Sequence, residues 1–197
     1  FRAHGTVNEL WEEAKAKKMN VIDATCPLVH EIHHEVKKLA ADGRKIIIIG
    51  DHGHDEVVAI ANQVKDSIII SSSKEALKLR KMKKVGVVSQ STQMIENVQA
   101  IINILMEKVF DLQFVNTICY PTKRNHEQIK LLALKNDVMI IIGSFTSANS
   151  KRLAELSFER NSNSYQVTSA KDLERIWFKN KKSVGISAGA STPDYLI

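Results

Sequence analysis

The chain is poor in cysteine, proline, glycine and aromatic residues: 2 Cys, 3 Pro and 8 Gly occur among 197 residues, and aromatics make up 6%. Two cysteines cannot staple a disulfide scaffold, and a reducing compartment is the simpler setting for them. So little proline and glycine excludes collagen-like chains and Pro-rich linkers. Apolar runs stay far below the roughly 20 residues that a bilayer-spanning helix needs, so no membrane contact is expected. The few aromatics, with no basic stripe interleaved among them, argue against nucleic acid as a partner. There is no G-x-G-x-x-G and no P-loop lysine pattern, which leaves nucleotide cofactors unsupported. What is present is globular in kind, with 44% hydrophobic and 25% charged residues. The 28 Lys and Arg exceed the 22 Asp and Glu, giving a net charge of +6. That balance suits solubility, and equally an acidic partner or an anionic substrate.

Apolar runs of strand length recur at 46–49, 67–70, 85–88, 138–142, 165–167 and 184–186. Most are continuous and β-branched, as in strands buried on both faces of a parallel sheet. Helical periodicity lies between them, over 31–41, 92–109, 127–135 and 150–160. The alternation predicts an α/β fold with mainly parallel sheets. The pattern also occurs twice. Cys26, His33, Lys37, Leu39, Ala40 and the run Ile47-Ile48-Ile49-Gly50 match Cys119, His126, Lys130, Leu132, Ala133 and Ile140-Ile141-Ile142-Gly143. Further on, Val85 to Thr92 resembles Val184 to Ser191. Two tandem copies of one α/β unit are therefore expected, at 27–115 and 116–197.

Short apolar stretches precede each cysteine, Val21-Ile22 and Phe114-Val115, which predicts each thiol at the carboxyl end of a strand. Open α/β sheets bind ligands at that edge, where loops and helix N-termini converge. Four polar loops fall there as well, at 50–56, 89–92, 144–150 and 187–192. For the cysteines, three readings stand: buried structural thiols, a nucleophile, or one thiolate per repeat on an iron–sulfur cluster. Zinc lacks the C-x-x-C or His-pair companions it needs. His54 and Glu56 share a Gly-bounded loop, where an imidazole can donate to an anion and a carboxyl group can relay protons. His30, His33 and His34 fall within one helical turn and read as structural or surface residues. The Ser, Thr and Asn loops suit phosphate at helix N-termini, although Thr92 and Ser150 could equally be helix caps.

The stretch Asp23-Ala24-Thr25-Cys26-Pro27-Leu28-Val29 resembles the cluster-cysteine motif of the LytB/IspH family of hydroxymethylbutenyl diphosphate reductases. So do Ala3-His4-Gly5, His54-x-Glu56-Val57, Gln90-Ser91-Thr92, Ile118-Cys119-Tyr120, Ser147-Ala148-Asn149-Ser150 and Ala188-Gly189-Ala190-Ser191-x-Pro193-Asp194. The motifs run in the family's order along the whole chain.

The resemblance implies a trefoil of three similar α/β units around a central 4Fe-4S cluster, each unit supplying one cysteine. Residues 1–26 then read as the tail of a first unit that is missing, together with its cysteine ligand. Cys26 and Cys119 match two cluster ligands. His4, His54, Ser147, Asn149 and Ser191 match residues that contact the substrate diphosphate. Glu56 matches the carboxyl group that delivers protons to the departing hydroxyl, and Ser91 matches a Thr that holds that hydroxyl. The implied reaction is reductive dehydroxylation of 4-hydroxy-3-methylbut-2-enyl diphosphate to isopentenyl and dimethylallyl diphosphates, the last step of the non-mevalonate isoprenoid route. Its implied partners are the small allylic diphosphate and a ferredoxin or flavodoxin electron donor. The implied setting is a bacterial cytoplasm or a plastid or apicoplast stroma. Two departures from the pattern stand near the phosphate-binding residues: Ala148 replaces a second Ser, and Asp55 replaces a Pro. Two other functions compete with the reductase. One is a cluster-free binding module for a small phosphorylated ligand, and the other is a basic α/β interaction protein.

Overall fold

A computed structural model describes residues 2–197. The chain divides into two compact units, Phe1–Cys119 and Tyr120–Ile197. In the first, α1 (Asn8–Ala16) and α2 (Pro27–Ala41) lead into β1 (Lys45–Ile49), α3 (Asp55–Ala61), β2 (Ile68–Ile70), α4 (Ser73–Lys78), β3 (Met82–Ser89), α5 (Ile95–Met106) and β4 (Val109–Phe114). All four strands are parallel, in the order β2-β1-β3-β4.

The isoleucine run of β1 explains the layers. Successive strand residues point to opposite faces. Ile46 and Ile48 pack with Ile32, Val36 and Leu39 of α2 and Val57 and Ile60 of α3. Ile47 and Ile49 pack with Ala76 of α4 and Val98, Ile101 and Leu105 of α5. Two helices thus cover each face, and β1 is the buried centre. Helix α2 shows why it takes its place. Pro27 occupies its first turn, where a missing N–H costs nothing, and its buried residues Val29, Ile32, Val36 and Leu39 fall on one stripe.

The second unit repeats the plan with α6 (Tyr120–Lys135), β5 (Val138–Ile142), α7 (Ala148–Phe158), β6 (Ser164–Val167) and β7 (Val184–Ala188). Its parallel sheet has the order β6-β5-β7. Val138, Ile140 and Ile142 join Val167, Tyr165, Trp177 and Phe178 on one face. There Trp177 stacks on Tyr165 with ring centroids 4.0 Å apart and planes 2° from parallel.

The repeat extends to single contacts. A Cβ built on Gly86 of β3 would lie 2.9 Å from Leu39 Cβ, and one on Gly185 of β7 would lie 3.1 Å from Leu132 Cγ. In both units the third strand carries a glycine where the helix after the cysteine presses its leucine onto the sheet. The hydrogen bonds of the strand ends repeat too: Gly50 N–H donates to Ile70 O and Gly143 N–H to Val167 O.

Two expectations need correction. The stretch Val21-Ile22 forms no strand, and Ile22 is 77% exposed, so β-branching there is not accompanied by a sheet to join. Cys26 therefore follows a segment without regular secondary structure, and its own N–H donates to Ala3 O at 3.0 Å. The helix expected over 92–109 is Ile95–Met106, because Val109 opens β4. Among the described residues no helix is long and apolar enough to cross a membrane.

The tight approach of α2 to β3 yields a test. Gly86→Ala forces Leu39 outward and is expected to lower the unfolding free energy by about 1–3 kcal/mol. Urea unfolding followed by circular dichroism measures this, and an unchanged midpoint would contradict the packing account.

Candidate functional site

The carboxyl ends of the strands gather the polar residues of the first unit. His54 is the N-cap of α3, its ring Nδ1 accepting the Glu56 N–H at 3.2 Å. That bond leaves the ring proton on Nε2, available to an anion. Burial is the main cause holding His54 below the ordinary imidazole pKa, with the charge of His4 adding to it and that of Glu56 opposing it. The His4 ring lies edge-on to it, with centroids 5.3 Å apart. Asp55, in the first turn of α3, pairs with Arg2 at 2.8 Å, so its charge has a cation against it.

One residue further on, α3 turns Glu56 inward until it is 1% exposed. Both carboxylate oxygens are held by one residue of the β3–α5 loop. Ser91 N–H donates to Oε1 at 2.6 Å, and Ser91 Oγ–H donates to Oε2 at 2.8 Å. Among the described residues no ion pair to Glu56 forms, so these hydrogen bonds hold the carboxyl group in place. The peptide of Ser91 also reaches the second cysteine, because Cys119 N–H donates to Ser91 O at 3.0 Å. The structure thus brings His4, His54, Glu56, Ser91 and the Cys119 backbone into one connected arrangement. On the neighbouring turn His52 faces elsewhere, bonded to Glu75 at 2.8 Å. That bond, with help from Ser71, holds the Glu75 carboxyl at about 2.

Cys26 and Cys119 are both free thiols and both partly buried. Cys26 is the N-cap of α2, and Cys119 directly precedes α6. Each sulfur therefore sits at the positive end of a helix, where an anionic ligand is favoured. Among the described residues no three His, Cys, Asp or Glu side chains converge as a metal site. Two thiols are a partial donor set: right in chemistry for an iron–sulfur cluster, short in number.

The second unit places its hydroxyls on the equivalent edge. Ser147 caps α7, accepting the Ser150 N–H, and Ser144 Oγ lies 2.8 Å from Thr146 Oγ1. Asn149 Nδ2 is buried with no hydrogen-bond partner, and so is the Ser150 hydroxyl. Unpaired buried donors are costly, and a ligand would relieve them. Ser191 is exposed on the loop after β7, beside Thr192, whose hydroxyl donates to Ile142 O. Gln93, fully buried, went unread in the sequence as part of these sites, and Gln90, also fully buried, and Thr192 were seen only as members of strand-end loops. The one available signal was polar side chains directly after strand ends.

These features define a parallel α/β protein whose strand edges carry a buried carboxyl–hydroxyl pair, a helix-capping imidazole and a hydroxyl-rich helix start. The LytB protein family model matches residues 1–197, and the chain belongs to that family. It is 39% identical over 198 residues to a 4-hydroxy-3-methylbut-2-enyl diphosphate reductase of Geotalea daltonii, covering all of this chain and 70% of that protein. It is 37% identical to the protein of the same name from Campylobacter jejuni subsp. doylei, covering 72% of it. Among solved structures, the E-1-hydroxy-2-methyl-but-2-enyl-4-diphosphate reductase of Plasmodium falciparum superposes with a TM-score of 0.92 at 32% identity. That match covers 98% of this chain and 63% of the Plasmodium chain.

The buried imidazoles predict a pH dependence of stability. His33, half-buried on α2, is held down to about 4, mainly by burial and secondarily by the charges of His30 and Lys37. Between its unfolded value near 6.5 and about 4, the unfolded chain binds a proton that the folded chain does not. Stability is therefore expected to fall as pH drops through that window, and His33→Gln should flatten the slope. Urea midpoints from pH 7 to pH 4 measure it, and equal slopes in both proteins would refute the assignment.

Proposed function

We propose that the chain is the part of a 4-hydroxy-3-methylbut-2-enyl diphosphate reductase that delivers protons, holds the diphosphate and supplies two cluster thiolates. The observation that carries the reading is the Glu56 carboxyl group, buried at the ligand-binding edge and clasped on both oxygens by Ser91. The reaction breaks an allylic C–O bond, takes up two electrons and two protons and releases water, giving isopentenyl or dimethylallyl diphosphate. It is the terminal step of the non-mevalonate route.

Cys26 and Cys119 would hold a 4Fe-4S cluster, with a third thiolate from the part of the relatives' length that this chain does not span. When bound, such a cluster supplies the electrons, and the protein supplies binding, orientation and protons. Glu56 is the proton donor to the departing hydroxyl. The Ser91 oxygen, already bonded to Glu56 Oε2, has lone pairs left to accept from that hydroxyl and hold it in line. The neutral ring of His54 donates from Nε2 to a phosphate oxygen, and His4 stands beside it for the same charge. Ser147, Asn149 and Ser191 offer the remaining donors, and the N-terminus of α7 favours the negative charge. The net charge of +6 suits an acidic ferredoxin or flavodoxin as electron donor. A reducing bacterial cytoplasm or plastid stroma would preserve the cluster.

The first test is iron and acid-labile sulfide per chain after anaerobic reconstitution of the full-length protein. About four irons are expected, with sharp depletion in Cys119→Ser. No iron in a folded, thiol-intact protein would overturn the reading and leave a cluster-free module for a small phosphorylated ligand. In the loaded protein Glu56→Gln keeps the iron and is expected to lower kcat by roughly 10²–10⁴-fold. Unchanged turnover of the allylic diphosphate in that variant would remove Glu56 from the reaction.

A further inference from the structure

We propose that Gln90 is a positioning residue that clamps the turn leading into His54 and Glu56 to the loop carrying Ser91. The inference rests on the reductase reading for its consequence, although not for its geometry. Gln90 is fully buried and lies between the ends of β1 and β3. Its side chain has a partner on each side. Oε1 accepts the backbone N–H of Asp51 at 2.9 Å, and Nε2 donates to Thr92 Oγ1 at 3.0 Å. Asp51 O then accepts the His54 N–H, closing the turn from which α3 starts. One amide side chain thus spans from the turn before His54 to the residue after Ser91. The Glu56–Ser91 pair joins the same two loops, so its geometry depends on how they are held.

The second unit shows that the fold itself does not require this side chain. Ile49 faces Ser89 in the first sheet and Ile142 faces Ala188 in the second. The next residues, Gln90 and Gly189, make the same backbone bond, to Ile49 O and Ile142 O. At Gly189 there is no side chain, and the space is taken by Ser150, whose Oγ would lie 2.2 Å from an added Cβ. The first unit has Val57 at the position equivalent to Ser150, its Cγ2 2.5 Å from a Cβ on Gly50. A glycine therefore suffices to end the third strand and turn the chain. The carboxamide is present in the unit that has the Glu56–Ser91 pair to align.

The test compares Gln90→Leu, which loses both bonds at similar size, with Gln90→Glu, which keeps an acceptor for Asp51 N–H and can accept from Thr92. Backbone amide exchange of the full-length protein is measured by NMR or mass spectrometry. Faster exchange at both Asp51 and Ser91 in Gln90→Leu, restored in Gln90→Glu, is expected. Parental exchange at either amide in Gln90→Leu would overturn the clamp. In the assay, Gln90→Leu is expected to lose about 10–100-fold in kcat with a smaller change in KM and unchanged iron, and Gln90→Glu to recover part of it. A kcat for Gln90→Leu within twofold of the parent would overturn the positioning role. If the parent shows no reductase turnover, the functional reading fails, while the exchange data still decide the clamp.

Discussion

Strand β1 is buried on both faces, and this leaves the polar residues of the first unit only the strand ends to occupy. Ile46 to Ile49 fill two separate cores, one under α2 and α3 and one under α4 and α5. Neither face has room for an unpaired polar group, because an unsatisfied donor or charge there would cost several kcal/mol, on the order of 2–7. Parallel strands also present all their carboxyl ends on one edge, together with the start of each following helix. Glu56, Ser91 and His54 meet because the loops that carry them leave neighbouring strands, β1 and β3, at that edge. The site is a consequence of the packing rather than an addition to it.

Within this frame the Glu56 carboxyl group is unusual in how it is held. A buried carboxylate with an arginine or lysine partner would be held ionised as an ion pair. Here a single serine supplies both hydrogen bonds, one from its peptide and one from its hydroxyl. The peptide fixes the orientation, and the hydroxyl can turn. That division fixes the carboxyl group in place while leaving one of its two partners free to reorient. The His54 ring, capping the same helix through Nδ1, is fixed by the same economy: one atom caps and the other is free to donate.

Much of this could be read from residue order. The doubled spacing from Cys26 to Gly50 and from Cys119 to Gly143 gave the repeat, and continuous β-branched runs gave parallel strands with polar ends. The motifs named His4, His54, Glu56, Ser91, Ser147 and Asn149, and all but His4 lie in the loops or first helical turns that follow strand ends. The failures have physical causes. Val21-Ile22 has strand-like residues, but Ile22 stays in solvent because pairing depends on a neighbour and not on propensity. The start of β4 was absorbed into α5 because Val109 continues the apolar periodicity of the helix, and only the sheet decides where it ends. Gln90 was visible as part of a motif, but its two bonds reach residues 39 and 2 positions away, and side-chain reach is not written in spacing.

The two units fill one junction in two ways. In both, a glycine ends the first strand of the repeat, and the helix that follows presses a side chain against it: Val57 on Gly50, Ser150 on Gly143. Where that side chain is valine, the third strand ends in a glutamine that fills the junction with bonds to both loops. Where it is serine, the third strand ends in glycine, and the buried hydroxyl of Ser150 sits between two bare backbones with no partner of its own. In the first arrangement the buried carboxamide has a partner for both its oxygen and its nitrogen. The second leaves donors unpaired next to the start of a helix, and it becomes satisfied only when an acceptor arrives. The repeat presents the same edge twice, and four residues, Val57 and Gln90 against Ser150 and Gly189, fill its junction with paired polar groups in one copy and with an unpaired hydroxyl in the other.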